Sequence, residues 1–141
     1  MSDEFAIQQT LNTYSYSATT GDLEAMVATY APDGVWEVPG IGALCTGHAE
    51  ILAASQGIAG SIEYMVQMNS PALIEVDGDT ATAQSIIREC GKYAGRDTCL
   101  EVLGLYDDKL VRTAEGWRFA KRTFTVRGMH DYGTAPPSLH G

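Results

Sequence analysis

The sequence predicts an α+β fold, with three N-terminal helices gathered on one face of a curved, mostly antiparallel sheet. Three observations carry this prediction. Apolar residues recur at helical spacing through roughly the first 56 residues, and after Gly60 the texture changes to alternation. Val76-Asp77-Gly78-Asp79 is then a strong hairpin signal, because Asp-Gly tolerates the positive φ values that a two-residue turn requires. A run of helices followed by a long meander is the α+β arrangement.

Each element has its own reason. From Asp3 to about Ala18, the residues Ile7, Leu11, Tyr14 and Ala18 form an amphipathic stripe, with Ser2 as cap and acids in the first turn. Gly21 breaks this helix and Asp22 caps a second, whose stripe of Leu23, Met26, Val27 and Tyr30 stops at Pro32-Asp33-Gly34. Val35-Trp36-Glu37-Val38 reads as a short strand ending at Pro39, and residues 47–56, with Ile51 and Leu52, as the third helix. Strands are expected near 62–76, 79–93, 98–111 and 116–127, joined by the Asp-Gly turn, by Ala94 to Asp97 and by Thr113 to Gly116. One domain thus spans 1–127. The tail, 128–141, carries Gly133, Pro136, Pro137 and Gly141 and is expected to be loose or folded over.

Composition excludes several classes of function. The 141 residues are 45% hydrophobic and 19% charged, one ordinary domain able to bury a core without disulfides or metals. Nine Lys and Arg against 18 Asp and Glu give a net charge of −9, which repels phosphate backbones and anionic membranes and rules out nucleic acid as a partner. No stretch reaches the ~20 apolar residues of a membrane span, and Met1-Ser2-Asp3-Glu4 lacks the basic-then-apolar order of a signal peptide. A soluble, cytoplasmic protein is therefore expected. Cys45, Cys90 and Cys99 form no Cys-x-x-Cys pair and read as buried thiols, while His48, His130 and His140 lack metal-ligand spacing. Gly40-Ile41-Gly42 lacks the rest of a phosphate loop and reads as a turn, so neither a metal nor a cofactor is implied.

Several phrases are similar to a known family. They are Gly21-Asp22-Leu23-Glu24-Ala25 leading to Tyr30-Ala31-Pro32-Asp33-Gly34, and Pro39-Gly40 before Thr46-Gly47. Further on come Asn69 before Val76-Asp77-Gly78-Asp79-Thr80-Ala81, and Gly104-Leu105-Tyr106-Asp107-Asp108 before Glu115-Gly116-Trp117-Arg118-Phe119 with Arg122. From about residue 4 to 127 the chain resembles the SnoaL-like branch of the nuclear transport factor two-like superfamily. The resemblance implies a cone-shaped α+β barrel with an apolar cavity between helices and sheet, often dimeric through the sheet. Activities in that superfamily include dehydratases, a dehydrochlorinase, ketosteroid isomerases, epoxide hydrolases, polyketide cyclases and catalytically silent binding domains.

The catalytic pattern of those relatives is broken here. Scytalone dehydratase-like and dehydrochlorinase-like members pair an Asp three residues before the Gly-Asp aspartate with a His four residues before the Asn. Thr19 and Met65 hold those places, and neither is a general base near neutral pH. The base and the oxyanion acid of ketosteroid isomerase fall near Val38 and Gly104, and only its phenol donor matches, at Tyr14. None of these activities transfers directly.

Other residues remain as candidates. Ala81, Ala83, Ser85, Ile87 and Glu89 share one strand face, so Glu89 ends an otherwise apolar row, where a carboxylate is costly and its pKa rises. The alternative is a rim carboxylate bonded to Arg88 or Lys92. Tyr14 either brings a proton donor into the interior or packs there with its hydroxyl satisfied by backbone. Trp36 and Tyr106 are cavity walls by the resemblance and plain core otherwise. In the strand from Ile62, bare periodicity buries Ile62, Tyr64, Val66 and Met68, whereas the register implied by the resemblance turns Met65, Gln67 and Asn69 inward with Ile87 and Glu89. Both hold if the apolar row is covered by a second subunit, which predicts a homodimer through the sheet.

The expected catalytic set is Tyr14, Glu89 and Asn69, with Trp36, Met65, Gln67, Ile87 and Tyr106 in contact with a ligand. Asn69 as a bulge or strand-end partner is the alternative. Arg122 is read as bridging surface carboxylates, the alternative being that it holds an acid near the cavity mouth; Asp22 is read as a helix cap and His48 as an exposed first-turn residue. The expected function is a cofactor-independent lyase, isomerase or cyclase that moves a proton on a small apolar molecule, cyclic or aromatic, in an enclosed cavity. The alternatives are a non-catalytic small-molecule binder, which Thr19 and Met65 favour, and a dimeric interaction domain.

Overall fold

A computed structural model describes residues 1–135, 138 and 139. Among these the chain runs α1 (Asp3–Thr20), α2 (Leu23–Val27), β1 (Tyr30–Val38), β2 (Ala43–Thr46), α3 (His48–Gly60) and β3 (Ile62–Asn69). It continues through β4 (Leu73–Asp77), β5 (Thr80–Tyr93), β6 (Cys99–Thr113) and β7 (Gly116–Tyr132). Local chemistry starts the helices as expected. Ser2 Oγ accepts the Phe5 N–H at 3.1 Å and Asp22 Oδ1 accepts the Ala25 N–H at 3.1 Å, each satisfying a donor that the first turn leaves free. Pro39–Ile41 is a 3₁₀ turn, in keeping with the turn read at Gly40 to Gly42.

The second helix is shorter than its stripe implies. Tyr30 belongs to β1, and Pro32-Asp33-Gly34 lies within that strand instead of ending a helix. Long-range pairing overrides the local period: Tyr30 lies opposite Phe119 in a parallel ladder with β7, and the Phe119 N–H donates to Thr29 O at 2.9 Å. The ladder shifts register between Tyr30 and Val35, and there Gly34 comes so close to its neighbours that a Cβ would lie 2.9 Å from both Ala31 O and Phe119 O.

The sheet order is β2-β1-β7-β6-β5-β3, with β4 also on β5; β1–β7 is parallel and the other pairs are antiparallel. The single strand expected over 62–76 is two strands, β3 against the second half of β5 and β4 against the first. Ser70-Pro71-Ala72 separates them, where the proline has no N–H for a ladder and Ser70 bonds the Ile86 backbone through both its N–H and its hydroxyl. Two one-residue bulges bend β7, since Lys109 and Leu110 face Lys121 and Phe119, and Leu103 and Gly104 face Gly128 and Val126.

Helices α1–α3 cover the inner face of this cone, where Ile7, Leu11, Tyr14 and Ile51 meet Ile87, Val102, Tyr106 and Phe119. Alternation in β5 is as expected, with Ala81, Ala83, Ser85 and Ile87 buried. In β3 bare periodicity gives the wrong side: Gln67 is buried, while Val66 and Met68 are 44% and 45% exposed. The 127/128 boundary falls inside β7, which stays paired to β6 as far as Tyr132 opposite Cys99. Beyond it Ala135 is buried and its N–H donates to Asp97 O at 2.6 Å. Pro136, Pro137 and Gly141, which entered the expectation for the tail, lie outside the described residues, as does His140. No described helix is long and apolar enough to cross a membrane.

Candidate functional site

The inner face of the sheet carries a buried ion pair that the sequence reading placed at the surface. Arg122 is 1% exposed and donates through Nε and Nη2 to the two Asp108 oxygens at 2.7 and 3.0 Å. The bulge at Ala120 is the reason. In an unbroken strand Trp117 and Phe119 would share the inner face with Lys121, and Arg122 would point outward; the extra residue reverses the parity and turns Arg122 and Phe124 inward. Its guanidinium carbon lies 3.7 Å from the Tyr106 ring centroid, 4.1 Å from that of Phe119 and 4.4 Å from that of Tyr14, a cation packed among aromatic faces.

Burial opposes the charge on Arg122, but the Asp108 carboxylate and the nearby phenols hold its pKa above the ordinary value. Burial also lifts the Asp108 carboxyl above the usual range, with Arg122 pulling against that rise. Asp108 could have been suspected from sequence, since period-two spacing puts it on the face of Tyr106; for Arg122 unbroken period two gives the outer face, and the alternative of an acid held by Arg122 is the one nearer to the structure.

Beside the ion pair lies a phenol cluster. The Tyr14 and Tyr106 hydroxyls are 3.3 Å apart, and Trp36 Nε1 donates to the Tyr106 hydroxyl at 3.1 Å. Burial pushes both phenols well above their ordinary pKa, and Arg122 draws them partly back. They are therefore neutral hydrogen-bond donors next to a fixed cation. The structure thus joins Tyr14, Trp36 and Tyr106 in one network.

A second polar group forms where α1 crosses β3 and β5. Gln67 Nε2 donates to Glu89 Oε1 at 2.6 Å, and Ser15 Oγ donates to Gln67 Oε1 at 2.9 Å. Glu89 lies on the inner face as expected, and neither Arg88 nor Lys92 takes it: Arg88 pairs with Glu101 and Lys92 with Glu63. Burial raises the Glu89 carboxyl, and the Gln67 amide offsets part of the rise. The carboxyl is also close enough to the Tyr106 phenol to disfavour its ionisation, so the two groups face a common interior.

The remaining candidates divide. Ile87 is fully buried, and Met65 lies on the inner face opposite Gly91. Asn69 does not join Tyr14; its amide donates to Asn12 Oδ1 at 3.1 Å and Ser70 O at 3.2 Å, which fits the strand-end alternative. Gln67, expected to offer its amide to a ligand, has both ends engaged. Thr19 Oγ1, at the place of the missing aspartate, accepts the Gln67 N–H at 2.9 Å. His48 is half-buried rather than exposed, with Nε2 2.9 Å from Tyr30 O, and the three cysteines are half-buried rather than buried. Among the described residues no three His, Cys, Asp or Glu side chains cluster as metal ligands. A hollow of about 630 Å³ opens on the outer face of the sheet, lined by Leu73, Glu75, Gln84, Asp107, Lys109 and Lys121, with Asp108 of the ion pair also in its wall.

A curved sheet capped by helices, with polar groups on its inner face, is the nuclear transport factor two-like cone. A SnoaL-like domain model matches residues 1–123, and the chain belongs to that family. An uncharacterized protein of Mycobacterium tuberculosis (strain ATCC 25618 / H37Rv) is 29% identical over 126 residues, 89% of this chain and 86% of that one. Among solved structures, a putative aromatic ring hydroxylase from Novosphingobium aromaticivorans aligns with TM-score 0.85 at 22% identity, covering 92% of this chain and 93% of the other. A putative scytalone dehydratase from the same organism gives 0.81 at 24% identity over 96% and 93%. A hexachlorocyclohexane dehydrochlorinase gives 0.84 at 16% identity over 95% and 93%.

Proposed function

We propose that this protein is a cofactor-independent enzyme of the lyase, isomerase or cyclase type, moving a proton on a small, largely apolar cyclic or aromatic molecule held between helices and sheet. The carrying observation is Glu89: a desolvated carboxyl on an otherwise apolar inner row, with one oxygen tied to Gln67 and phenols across from it. A carboxyl with a raised pKa is a stronger base once ionised, and it also holds a proton to higher pH. Negative charge developing on the substrate would be met by the Tyr106–Tyr14 pair. Trp36 donates to the Tyr106 oxygen, and the Tyr14 and Tyr106 hydroxyls share one hydrogen bond in which either can be the donor, so the pair can turn one phenol hydrogen toward a ligand oxygen, with Arg122 supplying fixed positive charge behind it. Two proteins of the same fold are named for loss of water and of hydrogen chloride, both eliminations.

The test is capture of small molecules from a metabolite extract, read by native mass spectrometry, followed by turnover of the captured compound. Glu89→Gln should retain binding and lose turnover by about 10²–10⁴-fold. Equal turnover by this variant sinks the assignment of Glu89. A second reading, a non-catalytic binder, is favoured by Thr19, whose hydroxyl is spent on the Gln67 backbone where a relative would orient a histidine. Capture without turnover would support it.

The outer face of the sheet favours a homodimer, with Val66, Met68, Ile86 and Leu103 exposed there.

A further inference from the structure

We infer that Ser15 and Gln67 are positioning residues for Glu89: a relay from α1 that holds carboxyl oxygen Oε1 in place and leaves Oε2 to exchange the proton. The inference rests on the reading of Glu89 as the proton-transfer group and adds which of its atoms carries the proton.

A glutamine side chain has one accepting end and one donating end. Ser15 Oγ fills the accepting end of Gln67 at 2.9 Å, so Nε2 is the end turned toward Glu89, and it donates to Oε1 at 2.6 Å. The main chain is held too, because the Gln67 N–H donates to Thr19 Oγ1 at 2.9 Å. Ser15 and Thr19 are one helical turn apart on α1, so a single face of that helix grips β3 at one residue. Gln67 lies directly opposite Glu89 in the β3–β5 ladder, which makes the reach short.

A donor aimed at Oε1 occupies a lone pair and disfavours a proton there. Oε2 has no hydrogen-bond partner among the described residues. The neutral acid therefore carries its hydrogen on Oε2, and the anion presents the Oε2 lone pair. Every bond of the relay survives in both states, so a proton arrives or leaves without rearrangement of the support. The Gln67 donor also favours the anion, opposing the burial that would otherwise keep Glu89 neutral.

The test needs no substrate. In the full chain labelled with ¹³C-glutamate, the Glu89 carboxyl resonance, assigned by its loss in Glu89→Gln, is followed through a pH titration. Gln67→Met should move the midpoint upward by roughly 1–2 pH units, the scale of one hydrogen bond to a charged group. Ser15→Ala should move it the same way by less, since an untethered amide still donates. Unchanged midpoints in the folded variants overturn the relay. Should Gln67→Met fail to fold, Gln67→Asn, which withdraws the amide by one methylene, must raise the midpoint, and no rise refutes the inference. A parent midpoint at the ordinary ~4.3 of glutamate would refute the proton-transfer reading separately, because that reading needs the raised value while the relay needs only the difference between variants.

Discussion

Removing the Arg122 guanidinium should destabilise the protein far more than a surface ion pair could. Arg122 and Asp108 are 1% and 3% exposed and joined by two hydrogen bonds, so Arg122→Met leaves a buried carboxylate without a counter-charge. Breaking a buried pair from one side costs about 3–5 kcal/mol, against roughly 5–15 kcal/mol for the whole of a domain's stability. Methionine keeps much of the apolar stem among Tyr14, Tyr106 and Phe119, so most of the loss reports the stranded charge. The double variant Arg122→Met/Asp108→Leu removes that charge and should regain about 1–4 kcal/mol over the single one.

Urea unfolding, followed by the fluorescence of buried Trp117, measures all three stabilities. The loss should also depend on pH. The folded-state pKa of Asp108 is raised by burial above its unfolded value, so the stability attached to its protonated form is complete below the unfolded pKa and is lost as pH rises through the folded one. Without Arg122 that loss deepens, and the single variant should approach the parent most closely in acid. A single variant costing under about 1 kcal/mol at neutral pH, or a double variant that simply adds two penalties, would refute the reasoning.

Three further outcomes are expected. Glu89 has a folded-state pKa raised by burial, so its contribution is present below the unfolded value of ~4.3 and lost as pH rises through the folded value; Glu89→Gln should match or exceed the parent in thermal stability at pH 7, with the gap closing in acid, and a gap independent of pH would contradict this. Gly104→Ala places a Cβ 2.5 Å from Phe124 Cζ and 2.6 Å from Thr125 O, an overpacked contact costing about 1–3 kcal/mol; calorimetry showing an unchanged Tm would count against the close packing of Phe124 on β6. Sedimentation at micromolar concentration should find a species of about twice the 15.1 kDa chain, and Val66→Lys with Ile86→Lys should return it to the monomer; a parent that is already monomeric ends the proposal of a sheet-to-sheet dimer.

The sequence by itself determined what neighbours along the chain decide. Caps at Ser2 and Asp22, a tight hairpin turn at Gly78 and the alternation from Ala81 to Glu89 depend on residues within a few positions of one another; the structure has each, with the turn at Gly78-Asp79, one position beyond the Asp-Gly pair expected, because Asp77 pairs with Thr80. The candidate site was legible to the same extent: Glu89 falls inside because period two places it there, and Tyr14 because it lies on a helical stripe. Partners far apart in sequence decided the rest. The stripe predicting a longer second helix yields at Tyr30 to a parallel ladder with Phe119, a partner 89 positions along (119 − 30) that no local period reports. Periodicity in β3 buries the more apolar row, but the helices cover the other one, so Gln67 reaches Ser15 and Glu89 while Val66 and Met68 stay outside. The bulge at Ala120 shows the physical reason most plainly: one residue beyond the pairing reverses which side chains face inward, and it seats Arg122 on Asp108 among the phenols of the inner face.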